Sequence, residues 1–338
     1  MNIDITTLTH QGTVRIATLP PANWHDNDPA LFLTTPLIAE DYPAKTAVMW
    51  NAAYAAFDMY SRNMMLVANP KDLAEITRVF RSDSRYQGGG AGVGFKEAII
   101  PYLDDVTPLA KAMGAVNIVK KVDNRLVGDN TDGVGYARSL EALLLVNGIP
   151  LTDAHVIILG AGGSGRAIAF ALADGGARLS ILNRTEAKSR ELADTVNRYF
   201  KTNRAFGGGR DVLPEIIRDA HAIVSVIDDA ESPLDAYATI GDMVLPVTDA
   251  SIEQNRLTTE KLLENVPRSV IISDIRIRKG PTAMLAQAQA LGFTTLDGIP
   301  MVVNQGVAAF WWLYGDTLTV HGVTQADVTN VMRDAAGL

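Results

Sequence analysis

Two regimes of apolar and polar residues follow one another along this chain. In the middle, Val156–Leu159 is an unbroken run of β-branched and aliphatic residues that leads straight into a glycine-rich turn. Such a run predicts a strand buried on both faces. Arg166–Ala173, dense in alanine, predicts a helix behind the turn. Arg178–Leu182 then predicts a strand, Glu186–Tyr199 a helix, and Ala222–Ile227 and Val270–Ile275 two further buried strands. Strands alternating with helices predict a parallel sheet with helices on both faces. The first third reads as mixed α/β. Ala30–Leu37 predicts a strand, Thr46–Met59 a helix rich in Ala and Met, Met64–Val67 a second strand, and Pro70 opens a helix through about Phe80. Ala115–Lys120 and Arg125–Val127 predict a strand pair turned at Asp123-Asn124. A helix start is expected near Phe95, and the tail from Met301 to Leu338 reads as helical. The glycine triples at Gly88 and Gly207 read as flexible loops, the first also allowing a ligand to approach closely.

Length and composition narrow the class. The 338 residues suffice for two domains, and 47% hydrophobic residues supply a core for each. A net charge of −8 argues against a nucleic-acid surface. Cysteine is absent, which removes disulfides, thiolate nucleophiles and thiolate metal sites. The five histidines, at 10, 25, 155, 221 and 321, show no metal-ligand spacing, so no metal is expected; His155 and His221 adjoin strands and read as structural. Trp311-Trp312 reads as packing. Met1–Gln11 has no basic segment followed by an apolar one, and no apolar run reaches the roughly 18 residues that span a bilayer. A cytoplasmic protein without membrane contact, monomeric or homodimeric, is the expectation.

The turn after Leu159 is Gly160-Ala161-Gly162-Gly163-Ser164-Gly165, which fits G-x-G-x-x-G. The first glycine permits a tight turn, the second lets backbone approach a pyrophosphate, and the third lets helix and strand pack closely. The helix N-terminus then offers free N–H groups and partial positive charge to phosphates. Strand before and helix after supply the context this motif needs for a dinucleotide site. An acidic residue on the second strand would hold a ribose 2′-hydroxyl. Here Asn183-Arg184-Thr185 stands there instead, with Lys188 a helical turn later. Arg184 and Lys188 supply charge and Thr185 a hydroxyl for a 2′-phosphate, so NADP is expected in preference to NAD.

Three upstream stretches join this turn: Phe95-Lys96, Gly114-Ala115-Val116-Asn117, and Gly128-Asp129-Asn130-Thr131-Asp132-Gly133. Lys96 precedes Asn117 by 21 residues, and Asn117 precedes Asp132 by 15. With Thr282–Leu285 and Gly298–Gln305 downstream, the set resembles the shikimate dehydrogenase family over about residues 30 to 315. The resemblance implies a mixed α/β substrate-binding and catalytic domain over 1–134, completed by C-terminal helices at about 301–338, and a Rossmann dinucleotide-binding domain over 135–300. It implies an NADP-dependent dehydrogenase interconverting shikimate and 3-dehydroshikimate, or a closely related cyclic polyol acid, in aromatic amino acid biosynthesis. Lys96 is then the proton donor and acceptor, Asp132 its neighbour and holder, and Asn117 and Gln305 bind substrate hydroxyls. A non-catalytic NADP-binding redox sensor would have no use for Lys96 and Asp132 together, and their joint presence favours an enzyme.

The chain departs from the family at the substrate end. The family's N-terminal motif carries two serines that bind the substrate carboxylate. Aligned on Asn51, this chain has Ala44 and Thr46 there, with Lys45 between them. The family's tyrosine ahead of the Thr282 helix aligns with Ile277, surrounded by Arg276, Arg278 and Lys279, and about 30 extra residues precede the family's first strand. Two readings follow. One is a divergent shikimate dehydrogenase that recruits Lys45 and Thr46; the other is a paralogue acting on quinate or an aminated analogue. Either way a carboxylate substrate is expected to meet at least one of Lys45, Arg276 and Arg278, because an unpaired buried anion is costly.

Overall fold

A computed structural model describes residues 4–17, 28, 30–41, 45–228, 232–238 and 249–338; Pro43, Ala44 and His25 lie outside them. The chain forms two compact units, Met1–Asp132 with Val302–Leu338, and Gly133–Met301.

The first unit holds nine strands: β1 Val14–Ile16, β2 Phe32–Thr34, β3 Leu37–Ile38, β4 Ser61–Asn63, β5 Leu66–Ala68, β6 Tyr86–Gly90, β7 Asp105–Val106, β8 Ile118–Val122 and β9 Arg125–Asp129. Its helices are α1 Ile5–His10, α2 Lys45–Ala56, α3 Leu73–Ser82 and α4 Pro108–Met113. Six strands form a mixed sheet in the order β4-β2-β6-β8-β9-β7, and β1-β5-β3 form a smaller one. The β8–β9 hairpin turns at Asp123 and Asn124, both left-handed at φ 50° and 62°, as a two-residue hairpin of this twist demands. Residues 4–17 of the N-terminal extension are packed, not pendant. Asp4 and Thr7 cap α1 reciprocally, Ile5 and Leu8 are buried, and β1 adds antiparallel to β5.

Of the strand expected over Met64–Val67, only Leu66 and Val67 lie in one, β5; Met64 and Met65 link it to β4, and the Met64 and Leu66 N–H groups donate to the Thr34 and Pro36 carbonyls. No helix starts at Phe95. Residues 93–99 are consecutive turns between left-handed Gly94 (φ 88°) and the 3-10 turn that carries Pro101. Gly88–Gly90 and Gly207-Gly208 lie in strands as well. A Cβ on Gly89 would stand 2.2 Å from the Thr35 carbonyl oxygen, and one on Gly207 2.4 Å from that of Ser189. Glycine there admits another stretch of backbone rather than loosening a loop.

The second unit is a six-stranded, all-parallel sheet of β10 His155–Leu159, β11 Arg178–Leu182, β12 Ala205–Gly208, β13 Ala222–Ser225, β14 Ile271–Asp274 and β15 Thr294–Leu296. Its order, β12-β11-β10-β13-β14-β15, reverses direction at β10, as in a doubly wound Rossmann sheet. Helices α5 Asp132–Val146, α6 Gly163–Asp174, α7 Glu186–Phe200, α8 Leu213–Ile216, α9 Pro233–Ala238, α10 Asp249–Glu264 and α11 Ala283–Ala290 connect and flank the strands. All of β10 is buried, so its continuous apolar run has a face to fill on each side. The tail is two helices, α12 Ile299–Val320 and α13 Gln325–Ala336.

His155 opens β10 as an interior group. Its Nε2 lies 2.8 Å from the Ser180 hydroxyl and its Nδ1 3.1 Å from the Asp219 carbonyl oxygen. Burial, opposed by that carbonyl, pushes its imidazole below the ordinary value of 6.5. Below pH 6.5 the unfolded chain takes up a proton that the folded one refuses, so this contribution to stability is present above 6.5 and declines as the pH falls. Denaturation midpoints are expected to drop as pH falls through that value, and His155→Gln is expected to flatten the slope. An unchanged slope in the variant would assign it to other groups.

Candidate functional site

In the first unit, the end of β8 and the chain leaving β9 lie side by side. The pairing of Ile118 with Asp129 places Asn117 beside the Asn130-Thr131-Asp132 segment. Asn117 Oδ1 accepts from the Thr131 N–H at 2.8 Å, and its Nδ2 donates to Asp132 Oδ1 at 2.8 Å. That amide also reaches Thr131 Oγ1 at 3.1 Å and Gln305 Oε1 at 3.4 Å. Asn130 fastens the segment from below through Ala115 O and the Asp132 N–H.

Lys96 arrives from the turn run, held there by a 2.8 Å bond from the Val116 N–H to the Lys96 carbonyl. Its Nζ donates to Asp132 Oδ2 at 2.6 Å. The lysine side chain is one-third exposed and the carboxylate 14% exposed. The carboxylate is thus fixed at one oxygen by an amide and offers the other to an ammonium that still faces open space. Gln305 comes from α12, whose Gln305 carbonyl accepts from the Thr131 hydroxyl at 3.2 Å.

These groups line one cavity of about 150 Å³, with Thr46, Trp50, Gly90 and Met65 among the other walls. A cavity of about that volume accepts a benzene-sized ring. Five of the six residues expected at catalysis or substrate, Lys96, Asp132, Asn117, Gln305 and Thr46, therefore meet at one place. Lys45 does not line it. Its Nζ donates to the Ala336 carbonyl at 2.9 Å, at the partially negative C-terminal end of α13. Sequence reasoning missed Thr131 and Trp50. Thr131 lay inside the Asn-Thr-Asp block but its hydroxyl had no assigned partner. Trp50 lines the cavity while its Nε1 donates to the Gly306 carbonyl at 3.2 Å, a partner 256 residues away.

The second unit carries the glycine turn between β10 and α6. Gly160 is left-handed at φ 112°, and a Cβ on Gly165 would lie 2.4 Å from the Gly160 carbonyl oxygen. Gly162 and Gly163 differ: a Cβ on either would meet nothing within 4 Å. Two positions close the turn and two leave room at the N-terminus of α6, with Ser164 half-buried beside them. This cradle fits a pyrophosphate. Asn183 braces the turn, accepting from the Ala161 N–H at 3.3 Å and donating to the Thr185 carbonyl at 3.0 Å. Arg184, Thr185 and Lys188 are exposed. Among the described residues, neither the Arg184 nor the Lys188 side chain has a hydrogen-bond or ion-pair partner, and the nearby Glu186 is taken by Arg190 at 2.6 Å. Cations without acidic partners fit a 2′-phosphate.

A Rossmann turn in one unit and a lysine–carboxylate pair in a small polar cavity of the other define a dinucleotide-dependent oxidoreductase class. Comparison with known proteins makes this specific. A family model described as the shikimate dehydrogenase substrate binding domain matches residues 42–119, and one described as shikimate / quinate 5-dehydrogenase matches residues 144–235. A shikimate dehydrogenase (NADP(+)) from Shouchella clausii is 32% identical over 265 residues, covering 78% of this chain and 86% of its own length. The chain belongs to the shikimate dehydrogenase family, whose members are oxidoreductases acting on a secondary alcohol. Its fold is shared by a quinate dehydrogenase from Corynebacterium glutamicum in complex with NAD, at TM-score 0.70 and 23% identity, covering 91% of this chain and 99% of that one. It is also shared by a 5-ketofructose reductase of Gluconobacter sp. strain CHM43, at TM-score 0.67 and 24% identity, covering 90% and 98%.

Proposed function

We propose that this protein is an NADP(H)-dependent dehydrogenase that interconverts a ring hydroxyl and a ketone on shikimate or a closely related cyclic polyol, with Lys96 and Asp132 handling the proton. The observation that carries the reading is the 2.6 Å contact of Lys96 Nζ with Asp132 Oδ2 in a cavity walled by Asn117 and Gln305. When bound, the nicotinamide supplies or accepts the hydride. A proton must then move on or off the substrate oxygen. Lys96, half in the open, delivers it during carbonyl reduction and takes it back during oxidation. Asp132 keeps the lysine in place, and Asn117, locked by Thr131 and Asp132, presents its amide to the substrate with Gln305. Gly160, Gly162, Gly163, Ser164 and Gly165 hold the pyrophosphate, with Asn183 as brace. Arg184, Thr185 and Lys188 hold the 2′-phosphate. The family assignment and the charge of −8 support an enzyme of the cytoplasm, monomeric or homodimeric, whose partner is a small molecule. Among the described residues no helix is long and apolar enough to cross a membrane.

Absorbance at 340 nm with NADP⁺ and a panel of shikimate, quinate and aminated analogues tests the activity. Turnover of one panel member is expected; silence across the panel, with NADPH still binding, would replace the enzyme reading by that of a sensor. Arg184→Ala is expected to weaken NADP binding by roughly 1–3 kcal/mol, the scale of one charge-assisted hydrogen bond, and to leave NAD almost untouched. Equal losses for both cofactors would remove the 2′-phosphate assignment.

A further inference from the structure

Two kinds of side chain line the substrate cavity. Lys96, Asp132, Asn117 and Gln305 are polar. The only two charges among the described lining residues are opposite in sign and in contact at 2.6 Å, so together they bring no net charge to a ligand. Pro36, Ile38, Met65, Val93, Ile118 and the buried Trp50 are apolar. Thr46 is the sole side-chain hydroxyl among the residues lining the cavity.

Three cations placed near the substrate by the sequence have partners elsewhere, and Lys279, the fourth, does not line the cavity. Lys45 donates to the Ala336 carbonyl at 2.9 Å. Arg276 pairs with the fully buried Asp274 at 2.6 Å, and Arg278 with Asp228 at 2.9 Å. Residues 42–44, which precede α2, are Tyr, Pro and Ala and carry no charge. A carboxylate entering the cavity would lose its water and find, among the described residues that line it, one hydroxyl and no cation other than Lys96, which is paired with Asp132. Taking an anion from water without a charged or multiply hydrogen-bonded partner is costly. An uncharged polyol incurs no such cost, because its hydroxyls are met by the two amides, the lysine–carboxylate pair and Thr46.

Resting on the dehydrogenase reading above, we propose that this cavity selects an uncharged polyhydroxylated ketone or alcohol, and that the carboxylate of an acid such as shikimate adds nothing to recognition. Thr46 acts as the specificity-determining contact, with a ligand hydroxyl or carbonyl as its partner. The reaction itself is unchanged: hydride to or from the nicotinamide, proton to or from Lys96.

The test compares shikimate with its methyl ester, which keeps ring and hydroxyls and removes the charge. With saturating NADP⁺, kcat/KM for the ester is expected to equal or exceed that for the acid, and Thr46→Val to lower both by the same factor of about ten, the scale of one lost hydrogen bond. An acid preferred over its ester by tenfold or more, or a Thr46→Val loss confined to the acid, would overturn this inference and leave the dehydrogenase reading intact. If neither is turned over, that reading fails, and calorimetric titration of acid and ester into the NADPH-loaded protein decides the inference by itself. Ester binding as tightly as acid supports it; tighter acid binding, or no binding of either, overturns it.

Discussion

Lys96→Ala is expected to lower kcat by about 10²–10⁴-fold, the usual worth of proton transfer by a positioned group, while NADP(H) affinity stays at the wild-type level. The two halves of that expectation come from different parts of the chain. Lys96 sits in a cavity built by the first unit, whereas the glycine turn and Arg184 belong to the second. Asp132→Asn is expected to cost a similar factor. It keeps the bond from Asn117 in shape but removes the charge that holds Lys96 Nζ at 2.6 Å. Because the pair acts as a unit, the double variant is expected to be hardly worse than either single one. Steady-state and single-turnover kinetics of the three variants check this. Wild-type turnover in Lys96→Ala, or fully multiplicative losses in the double variant, would dissolve the proposed pair.

The second large effect is on stability. Arg276 stood in the sequence as a candidate for the substrate anion, beside the position of the family's tyrosine. In the folded chain it belongs to Asp274 at the end of β14. Arg276 Nε lies 3.1 Å from both carboxylate oxygens and Nη2 2.6 Å from Oδ2, while the Thr282 hydroxyl adds a 2.8 Å bond. Asp274 is completely buried and the Arg276 side chain 10% exposed. Removing one partner of such a pair leaves an uncompensated buried charge, at a cost of about 3–5 kcal/mol. Arg276→Met is therefore expected to lower the denaturation midpoint steeply. Asp274→Asn combined with Arg276→Met is expected to recover much of the loss, since replacing both charges removes the orphan. A single variant as stable as wild type would free Arg276 for the ligand role and weaken the case for an uncharged substrate.

The difference between these residues shows what a sequence discloses. Lys96, Asn117 and Asp132 were legible through the family resemblance, which rests on short local blocks of distinctive composition; the register of β8 on β9 then sets Asn117 beside Asp132. The Rossmann turn was legible from its own residues: its chemistry is done by backbone, and glycine spacing is the record of backbone demands. Lys45 and Arg276 were placed near the substrate on neighbourhood along the chain alone. A long cation goes to whichever acceptor the fold brings nearest, and for Lys45 that acceptor is 291 residues away. The glycine triples erred in the opposite direction. Glycine signals both looseness and close approach, and only the backbones of Thr35 and Ser189 reveal which of these applies at Gly89 and Gly207.

The amino-acid sequence by itself determined the strand–helix alternation, the parallel sheet and the glycine turn with its cationic second strand, whereas the Lys96–Asp132 pair was legible only as what the family resemblance implies. The first three depend on periodicity and on short local motifs. The tertiary structure decided the rest: that Gln305 and Trp50 wall the same cavity as Lys96, that α1 and β1 are packed, and that Lys45, Arg276 and Arg278 already have partners. Those outcomes turn on contacts across tens to hundreds of residues, where packing and the competition for buried charge, rather than local propensity, choose each side chain's neighbour.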